Sequence, residues 1–243
     1  MKIVRFCHEG LEHTGFVESD VVYEGDADGG LKTYRLGDVK LLSPVKPSKA
    51  VCVGLNYKDH AQEMGEAPEP VLFIKPSTAV IGPCQWIVKP TCCERLDYEG
   101  ELAVVIKDDI KNVTEQEAKK HILGYTCALD MTARDLQHKD GQWTRAKSFD
   151  TFLPIGPWIE TDVDPAAGLE LKLYVNGELK QSGNTKDMIF GVDKLVSFIS
   201  SVMTLKGGDV ILTGTPAGVG PVKPGDTIRF VIEGIGELEN YVK

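Results

Sequence analysis

The sequence predicts a β-rich α+β fold. Short apolar runs that are rich in β-branched residues recur along the 243 residues, as at 51–55, 71–74 and 102–106, and such runs are typical of strands. Few helices are indicated, and strands and helices do not alternate regularly. Because a doubly wound parallel sheet needs regular alternation, the pattern disfavours that architecture.

A small β domain is predicted at the amino-terminal end. Short strands are expected over residues 2–6, 14–17 and 21–23, with Gly and Asp turns between them. Pro44 and Pro47 then interrupt the chain. We therefore predict a small N-terminal β domain over residues 1–46 and a larger domain over residues 47–243.

The larger domain reads as strands with a few helices between them. Strands are predicted at 50–55, 71–74, 124–129, 209–212 and 227–232, and helical character at 56–65 and 192–203. Thr114 and Glu117 have the capping-box spacing, which predicts a helix that continues to Leu123. Alternating apolar residues that lead to Asn176 and Gly177 predict a β-hairpin.

The composition excludes several classes of protein. The net charge of −9 argues against a nucleic-acid partner, because nucleic-acid binding depends on basic patches. No apolar run approaches the ~20 residues that cross a bilayer, and the first residues do not read as a signal peptide. We therefore expect no membrane partner and a cytoplasmic location. The six cysteines form no C-x-x-C pair, so neither a zinc site nor a disulfide framework is indicated.

Three carboxylates form the candidate chemical centre. Glu99 and Glu101 are two residues apart at the start of a predicted strand, so their side chains should project from one face. Asp130 follows another apolar strand and could supply a third carboxylate. A site of carboxylates without sulfur or imidazole is typical of a hard cation, with Mg²⁺ the best fit and Mn²⁺ or Ca²⁺ possible.

A nearby positive side chain would balance such a site. Three carboxylates around a divalent ion leave an excess negative charge, and Lys147 is the candidate to offset it. The glycine-rich stretch 214–220 lacks both the ending of a phosphate-binding P-loop and the spacing of a dinucleotide fingerprint, so nucleotide binding is not predicted.

Five motifs occur in an informative order. They are VGLNYKDH at 53–60, DYEGEL at 97–102, LDMTARDLQ at 129–137, RAKSF at 145–149 and LTGTP at 212–216. Together they resemble the motif series of the fumarylacetoacetate hydrolase family, from about residue 51 to the carboxyl end. The resemblance implies a mixed β-sandwich roll like the C-terminal domain of fumarylacetoacetase, and it implies a homodimer.

The resemblance also implies roles for individual residues. A divalent metal would be held by Glu99, Glu101 and Asp130. The substrate pocket would be lined by Arg134, Gln137, Lys147, Gly214 and Thr215. In the shorter family members a His-x-x-Glu pair forms a catalytic dyad, and His60 and Glu63 match that pattern. One departure from the larger fumarylacetoacetases is that residues 53–56 contain no acid, which favours the smaller 2-oxo acid enzymes.

The predicted function is action on a 2-oxo acid through a metal-stabilised enolate. His60, oriented by Glu63, would activate a water that hydrolyses the C–C bond of an acylpyruvate, while Lys147 adds positive charge beside the enolate. Decarboxylation of oxaloacetate and isomerisation of 2-hydroxyhepta-2,4-diene-1,7-dioate use the same chemistry and remain alternatives. A protein that binds metal or keto acid without catalysis is a more distant alternative.

Overall fold

The computed structural model describes residues 1–25, 30–58 and 68–243. Its strands, numbered in chain order, are β1 (Lys2–His8), β2 (Leu11–Glu18), β3 (Val21–Gly25), β4 (Leu31–Arg35), β5 (Lys40–Leu41), β6 (Lys49–Gly54), β7 (Val71–Pro76), β8 (Val80–Ile81), β9 (Trp86–Ile87), β10 (Leu96–Tyr98), β11 (Gly100–Ile106), β12 (Ile122–Leu129), β13 (Thr132–Ala133), β14 (Leu153–Glu160), β15 (Glu170–Val175), β16 (Glu178–Asn184), β17 (Val210–Leu212), β18 (Gly220–Val222), β19 (Thr227–Ile232) and β20 (Gly236–Val242).

The helices within the described residues are short, except one near the carboxyl end. They are α1 (Glu115–Ala118), α2 (Arg134–Asp140), α3 (Thr144–Lys147) and α4 (Val192–Val202). Single 3₁₀ turns lie at Leu36–Asp38, Ser77–Ala79, Lys119–His121, Pro165–Ala167 and Thr185–Asp187. None of the helices in the described ranges is long and apolar enough to cross a membrane.

A large mixed sheet carries the predicted site. Its strand order is β4-β3-β2-β1-β14-β12-β11-β17-β6-β7, with β5 beside β1 and β8 beside β14. A five-stranded sheet has the order β16-β15-β19-β20-β9, and a small sheet has the order β13-β10-β18. The predicted β-rich α+β class is confirmed, and the sheets correspond to the roll that the family resemblance implied.

The central strands of the large sheet, such as β6 and β11, are buried on both faces, which explains why they are continuously apolar. Along β6, Val51 and Val53 belong to the main core, where the five-stranded sheet also packs. Ala50 and Cys52 point to the opposite face and belong to a second core cluster. We call the face with this second cluster the second face of the large sheet. In β11, Gly100 and Leu102 face the main core, so Glu101 between them points to the second face.

The N-terminal strands continue the large sheet. Residues 2 and 3 of β1 pair with residues 160 and 159 of β14, and β2, β3 and β4 follow outwards from β1. Val4, Phe6, Val17 and Val22 form a separate small core under these strands. The division between residues 46 and 47 stays a prediction.

Two local predictions have different outcomes. The hairpin at Asn176 and Gly177 is confirmed, since it joins β15 to β16 and both residues have positive φ. The helix predicted from Thr114 to Leu123 is wrong in length: its capping box forms, but α1 ends at Ala118 and β12 begins at Ile122. The β-branched Ile122 instead pairs with Ile106 of β11, so sheet pairing decides its conformation.

Candidate metal centre

Strand register brings the three predicted metal ligands together. β11 and β12 are antiparallel, with Gly100 opposite Leu129. Continuing this register by one residue places Glu99 opposite Asp130, and the Asp130 amide donates a hydrogen bond to the Glu99 carbonyl at 2.8 Å. Because side chains alternate along a strand, Glu99, Glu101 and Asp130 all project from the second face of the large sheet.

The three carboxylates are buried and close to one another. One oxygen from each of Glu99, Glu101 and Asp130 lies within 4.8 Å of the other two. Two oxygens that each lie about 2.0–2.6 Å from a shared hard cation are at most about 5 Å apart. The observed separations of the carboxylate oxygens are within that limit. The donor set contains only carboxylate oxygen, which suits Mg²⁺, Mn²⁺ or Ca²⁺ rather than a metal that prefers sulfur. The residues present therefore fit the ion that the sequence predicts.

Two buried lysines hold Asp130 between them. Lys147, at the end of α3, donates to Asp130 Oδ2 at 2.5 Å and to Glu99 Oε2 at 2.9 Å. Lys75, in β7, donates to Asp130 Oδ1 at 2.6 Å and to the Met131 carbonyl at 3.1 Å. Burial by itself would lower the pKa of the Lys147 ammonium, but Asp130 and Glu99 outweigh burial and raise it. The two carboxylates therefore favour the charged form of Lys147.

A guanidinium completes the positive side of the site. Arg134, the first residue of α2, donates to Glu99 Oε1, to Asp97 Oδ2 at 2.9 Å and to Gln137 Oε1 at 2.5 Å. Gln137 lies one helical turn after Arg134, where their side chains can meet. Burial would raise the pKa of the Glu99 carboxyl, yet Lys147 and Arg134 outweigh burial and lower it to about 2.

Glu101 differs from the other two carboxylates. Within the described ranges its side chain accepts one hydrogen bond, from the Gly214 amide to Oε2 at 2.6 Å, and has no ion-pair partner. Burial, followed by the charges of Asp130 and Glu99, raises the pKa of the Glu101 carboxyl well above its ordinary value. A cation between the three carboxylates would compensate this charge.

The loop after β17 is tied to the same carboxylates. Gly214 directs its amide at Glu101, and the Thr215 hydroxyl donates to the Gly100 carbonyl at 2.9 Å. Gln181 of β16 donates to Thr215 Oγ1 at 2.8 Å and accepts from the Gly100 amide at 2.9 Å. The donors of Gly214 and Thr215 are thus engaged by the protein, and their contact with a substrate stays a prediction.

A cavity of about 640 Å³ opens onto the carboxylates. Besides the three acids, its lining includes Phe73, Arg134, Gln137, Trp143, Lys147 and Thr215. The aromatic wall is in contact with the charged group, since the Lys147 Nζ lies 4.9 Å from the centre of the Phe73 ring. Such a volume suits a small organic substrate.

The structure brings most of the predicted site residues to one place. The metal candidates, Lys147, Arg134, Gln137 and Thr215 all border the cavity, and the Gly214 amide donates a hydrogen bond to Glu101. The predicted dyad of His60 and Glu63 lies outside the described residues.

Sequence reasoning missed three charged residues of this centre: Lys75, Asp97 and Arg95. Lys75 and Phe73 are two residues apart in β7, so their side chains lie on the same buried face of the large sheet. A lysine on the apolar face of a predicted strand was the sequence feature that could have identified Lys75. Asp97 lies two residues before Glu99, so the same strand alternation that relates Glu99 to Glu101 also indicated Asp97. Its carboxylate accepts hydrogen bonds from Arg95 and Arg134.

Comparison with known proteins agrees with this geometry. The sequence model described as "Fumarylacetoacetate (FAA) hydrolase C-terminal" matches residues 49–243, and one described as "Rv2993c-like, N-terminal" matches residues 1–44. The chain therefore belongs to the fumarylacetoacetate hydrolase family, as the motif series indicated.

Its relatives include proteins with and without an activity name. An uncharacterized protein of Archaeoglobus fulgidus is 56% identical over 93% of both chains. Oxaloacetate tautomerase YisK of Bacillus subtilis is 43% identical over 86% of this chain and 75% of its own length.

Solved structures give the same picture of shared fold and varied names. A 5-carboxymethyl-2-hydroxymuconate delta-isomerase of Mycobacterium smegmatis has a TM-score of 0.93 at 45% identity, covering 100% of this chain and 98% of its own. A maleylpyruvate hydrolase of Sphingobium, solved with manganese and pyruvate, has a TM-score of 0.85 at 33% identity and covers the same shares. Members with closely similar folds thus include an isomerase and a hydrolase.

Proposed function

We propose that this chain is a divalent-metal-dependent enzyme that acts on 2-oxo acids. Glu99, Glu101 and Asp130 would hold the ion, with Mg²⁺ preferred and Mn²⁺ or Ca²⁺ as alternatives. The observation that carries the proposal is the buried carboxylate triad beside a cavity with cationic walls. When bound, the ion would supply positive charge to the carboxylate and ketone oxygens of a 2-oxo acid.

The charge balance of the centre supports an anionic substrate. Among the described residues, Asp97 and the three candidate ligands are four carboxylates, and they contact or adjoin four cationic side chains, namely those of Lys75, Arg95, Arg134 and Lys147. Their formal charges cancel, so a divalent ion would leave the site with an excess of two positive charges. A dianion such as oxaloacetate would match that excess.

For the reaction itself we propose proton transfer at the carbon next to the ketone, which is tautomerisation or isomerisation. In the tautomerisation, C3 loses a proton and the ketone oxygen gains one, and no bond between heavy atoms is broken. Support comes from relatives named oxaloacetate tautomerase, at 43% and 40% identity, and from the isomerase structure at 45% identity.

The charge state of Lys147 limits which role it can have. An ammonium whose pKa is raised by two carboxylates has no free lone pair with which to accept a proton. Lys147 would instead place positive charge beside the oxygen that becomes more negative in the transition state. The proton would then be taken by another group, for which we propose His60, oriented by Glu63.

The remaining predicted residues would bind and orient the substrate. Arg134 presents a guanidinium at the cavity and is fixed there by Asp97 and Gln137, so we propose that it meets a substrate carboxylate. We propose that Thr215 and the Gly214 amide border the bound acid. The Gly214 N–H and the Thr215 hydroxyl already donate to Glu101 and to the Gly100 carbonyl, so the substrate would share these two donors with them.

Hydrolysis of an acylpyruvate is the second candidate function. It was the reaction predicted from the sequence, and the maleylpyruvate hydrolase with manganese and pyruvate favours it. Only hydrolysis needs an activated water. His60→Ala should therefore remove hydrolysis while sparing part of any decarboxylation of oxaloacetate.

The test is a substrate panel measured with the purified chain and Mg²⁺ or Mn²⁺. Ketonisation of enol-oxaloacetate is followed by ultraviolet absorbance, acetylpyruvate cleavage by coupled detection of pyruvate, and decarboxylation by CO₂ release. We expect ketonisation to exceed the rate with metal alone and to require Glu101. If Mn²⁺ binds but no substrate turns over, the chain is a binding protein, and the enzyme proposal is wrong.

We also propose that the chain forms a homodimer and is located in the cytoplasm. β7 ends the strand order of the large sheet and exposes Val71 and Ile74, which gives an apolar edge for a second copy. Light scattering should then give twice the chain mass of 26.6 kDa. Fractionation of the native cells tests the location.

A further inference from the structure

One peptide group links a buried asparagine to the candidate metal ligand that lacks an ion-pair partner. The carbonyl oxygen of Thr213 accepts a hydrogen bond from Asn56 Nδ2 at 2.8 Å. The N–H of the same peptide belongs to Gly214 and donates to Glu101 Oε2 at 2.6 Å. Because a trans peptide is planar and its C=O and N–H point in opposite directions, fixing the carbonyl also fixes the direction of the N–H.

Asn56 is itself held in one orientation. It is fully buried, and its Nδ2 donates to the Phe190 carbonyl at 3.0 Å as well as to Thr213. Its Oδ1 accepts from the Phe190 amide at 2.8 Å. The side-chain amide therefore faces two carbonyls with its nitrogen and one N–H with its oxygen, and a flipped amide would lose all three bonds.

The linking peptide passes close to Asn56, and there is no space for a side chain at Gly214. Gly214 has φ +95°, and a Cβ atom built on it would lie 2.9 Å from Asn56 Cβ and 3.2 Å from the Val53 carbonyl oxygen. The position thus requires glycine both for its backbone conformation and for the space beside Asn56.

We propose that Asn56 is a positioning residue for Glu101, and through it for metal binding. This inference rests on the proposed function, in which Glu101 is a ligand. Lysine or arginine restrains both other carboxylates, whereas Glu101 has the Gly214 N–H as its restraint within the described ranges. That bond takes one of about four lone-pair positions of the carboxylate and leaves the others for a cation. Asn56 thereby orients the ligand without touching it.

The test compares Asn56→Ala with Asn240→Ala. Asn240 is also fully buried, and its Nδ2 also donates to two carbonyls, those of Gly82 at 2.9 Å and Gln85 at 3.1 Å, away from the carboxylates. Mn²⁺ affinity is measured by electron paramagnetic resonance and calorimetry for both variants, the unchanged chain and Glu101→Gln. Thermal unfolding with EDTA reports how far each variant is destabilised.

We expect Asn56→Ala to weaken Mn²⁺ binding by roughly 10- to 100-fold, the usual effect of losing a residue that orients a ligand. Asn240→Ala should keep its Mn²⁺ affinity although its unfolding temperature falls. Saturating Mn²⁺ should restore most of the turnover of Asn56→Ala, since the catalytic groups remain. If that variant does not fold, Asn56→Leu fills a similar volume without a donor to Thr213 and should weaken Mn²⁺ binding likewise.

Unchanged Mn²⁺ affinity in folded Asn56→Ala would overturn the inference, and so would an equal loss in Asn240→Ala. These results are distinct from failure of the proposed function. In that case the unchanged chain would not bind Mn²⁺, or Glu101→Gln would bind it equally well.

Discussion

The Nζ atom of Lys75 lies 2.6 Å from Oδ1 of Asp130, and neither side chain is exposed to solvent. This ion pair joins β7 to the residue that follows β12, across the second face of the large sheet. Removing one member of such a pair leaves a buried charge with less compensation than before. The pair therefore allows the contribution of a buried ion pair to be measured in this fold.

We predict that Lys75→Met destabilises the metal-free chain by about 3 kcal/mol, because loss of one member of a buried ion pair is strongly unfavourable. Lys46→Met is the matched control: Lys46 pairs with Glu12 at 2.5 Å, but both side chains are mostly exposed, so loss of this pair should change the stability much less. Urea unfolding with EDTA measures both values. Equal losses in the two variants would contradict the buried-pair argument.

The Glu101→Gln variant should separate metal binding from folding. Removing its charge relieves repulsion from Glu99 and Asp130, so the metal-free variant should unfold at a higher temperature than the unchanged chain. The same change removes a proposed ligand, and we expect Mn²⁺ affinity to fall more than about 100-fold, beyond the usual effect of changing a residue that only orients a ligand.

Calorimetric titration and thermal unfolding with and without Mn²⁺ measure these two effects. Glu237→Gln, which affects the exposed pair with Arg229, is the control and should change neither the affinity nor the stabilisation by Mn²⁺. Retention of Mn²⁺-induced stabilisation in Glu101→Gln would exclude Glu101 as a ligand.

Acid should destabilise the chain partly through Asp209. Burial would raise the pKa of this carboxyl, but hydrogen bonds from the Lys49 ammonium, Lys206, Ser48 and the Lys49 amide outweigh burial and lower it. Its stabilising contribution is therefore complete above the unfolded-state pKa, about 3.9. It is lost as the pH falls through the lower pKa of the folded state.

The measurement is the free energy of unfolding from about pH 5 to pH 2.5, a range that brackets the unfolded-state pKa. We expect Asp209→Asn to be less stable than the unchanged chain at pH 5, with a gap that narrows as the pH falls. Asp162→Asn, a change at an exposed position, should run parallel to the unchanged chain. A gap that widens towards acid pH would mean that the sign of the effect is wrong.

The sequence was most informative where a signal lies within a few residues. Glu99 and Glu101 could be placed on one face from strand alternation alone. Asp130 could be named as a third carboxylate, but its position opposite Glu99 depends on the register of β11 against β12, which no local pattern states.

Hydrogen bonds between residues that are distant in sequence and share no motif could not be predicted. Asn56 binds Thr213 and Phe190, more than 130 residues away, and Gln181 binds Gly100 and Thr215. Asn56 lies in the motif at 53–60, but nothing in the sequence shows which backbone groups Asn56 or Gln181 binds, so only the assembled sheets reveal these contacts. The helix predicted from Thr114 to Leu123 is too long for a related reason, because pairing with β11 determines the conformation of Ile122.

The last prediction concerns Lys147 and separates catalysis from metal binding. Lys147→Met removes a positive charge from beside two proposed metal ligands, so cation affinity should stay the same or increase. Turnover should nevertheless fall by about 10²- to 10³-fold, as for loss of one group that stabilises transition-state charge. Lys147→Arg keeps the charge but changes its shape, and it should recover only part of the turnover.

Steady-state kinetics at saturating Mn²⁺, together with calorimetric titration, measure these effects. The conclusion depends on the contrast between the two quantities. If Lys147→Met lost metal affinity in parallel with turnover, Lys147 would serve mainly to organise Glu99 and Asp130. If turnover persisted in Lys147→Met, the charge that stabilises the substrate would have to come from elsewhere. Arg134, which also contacts Glu99, would then be the first residue to replace.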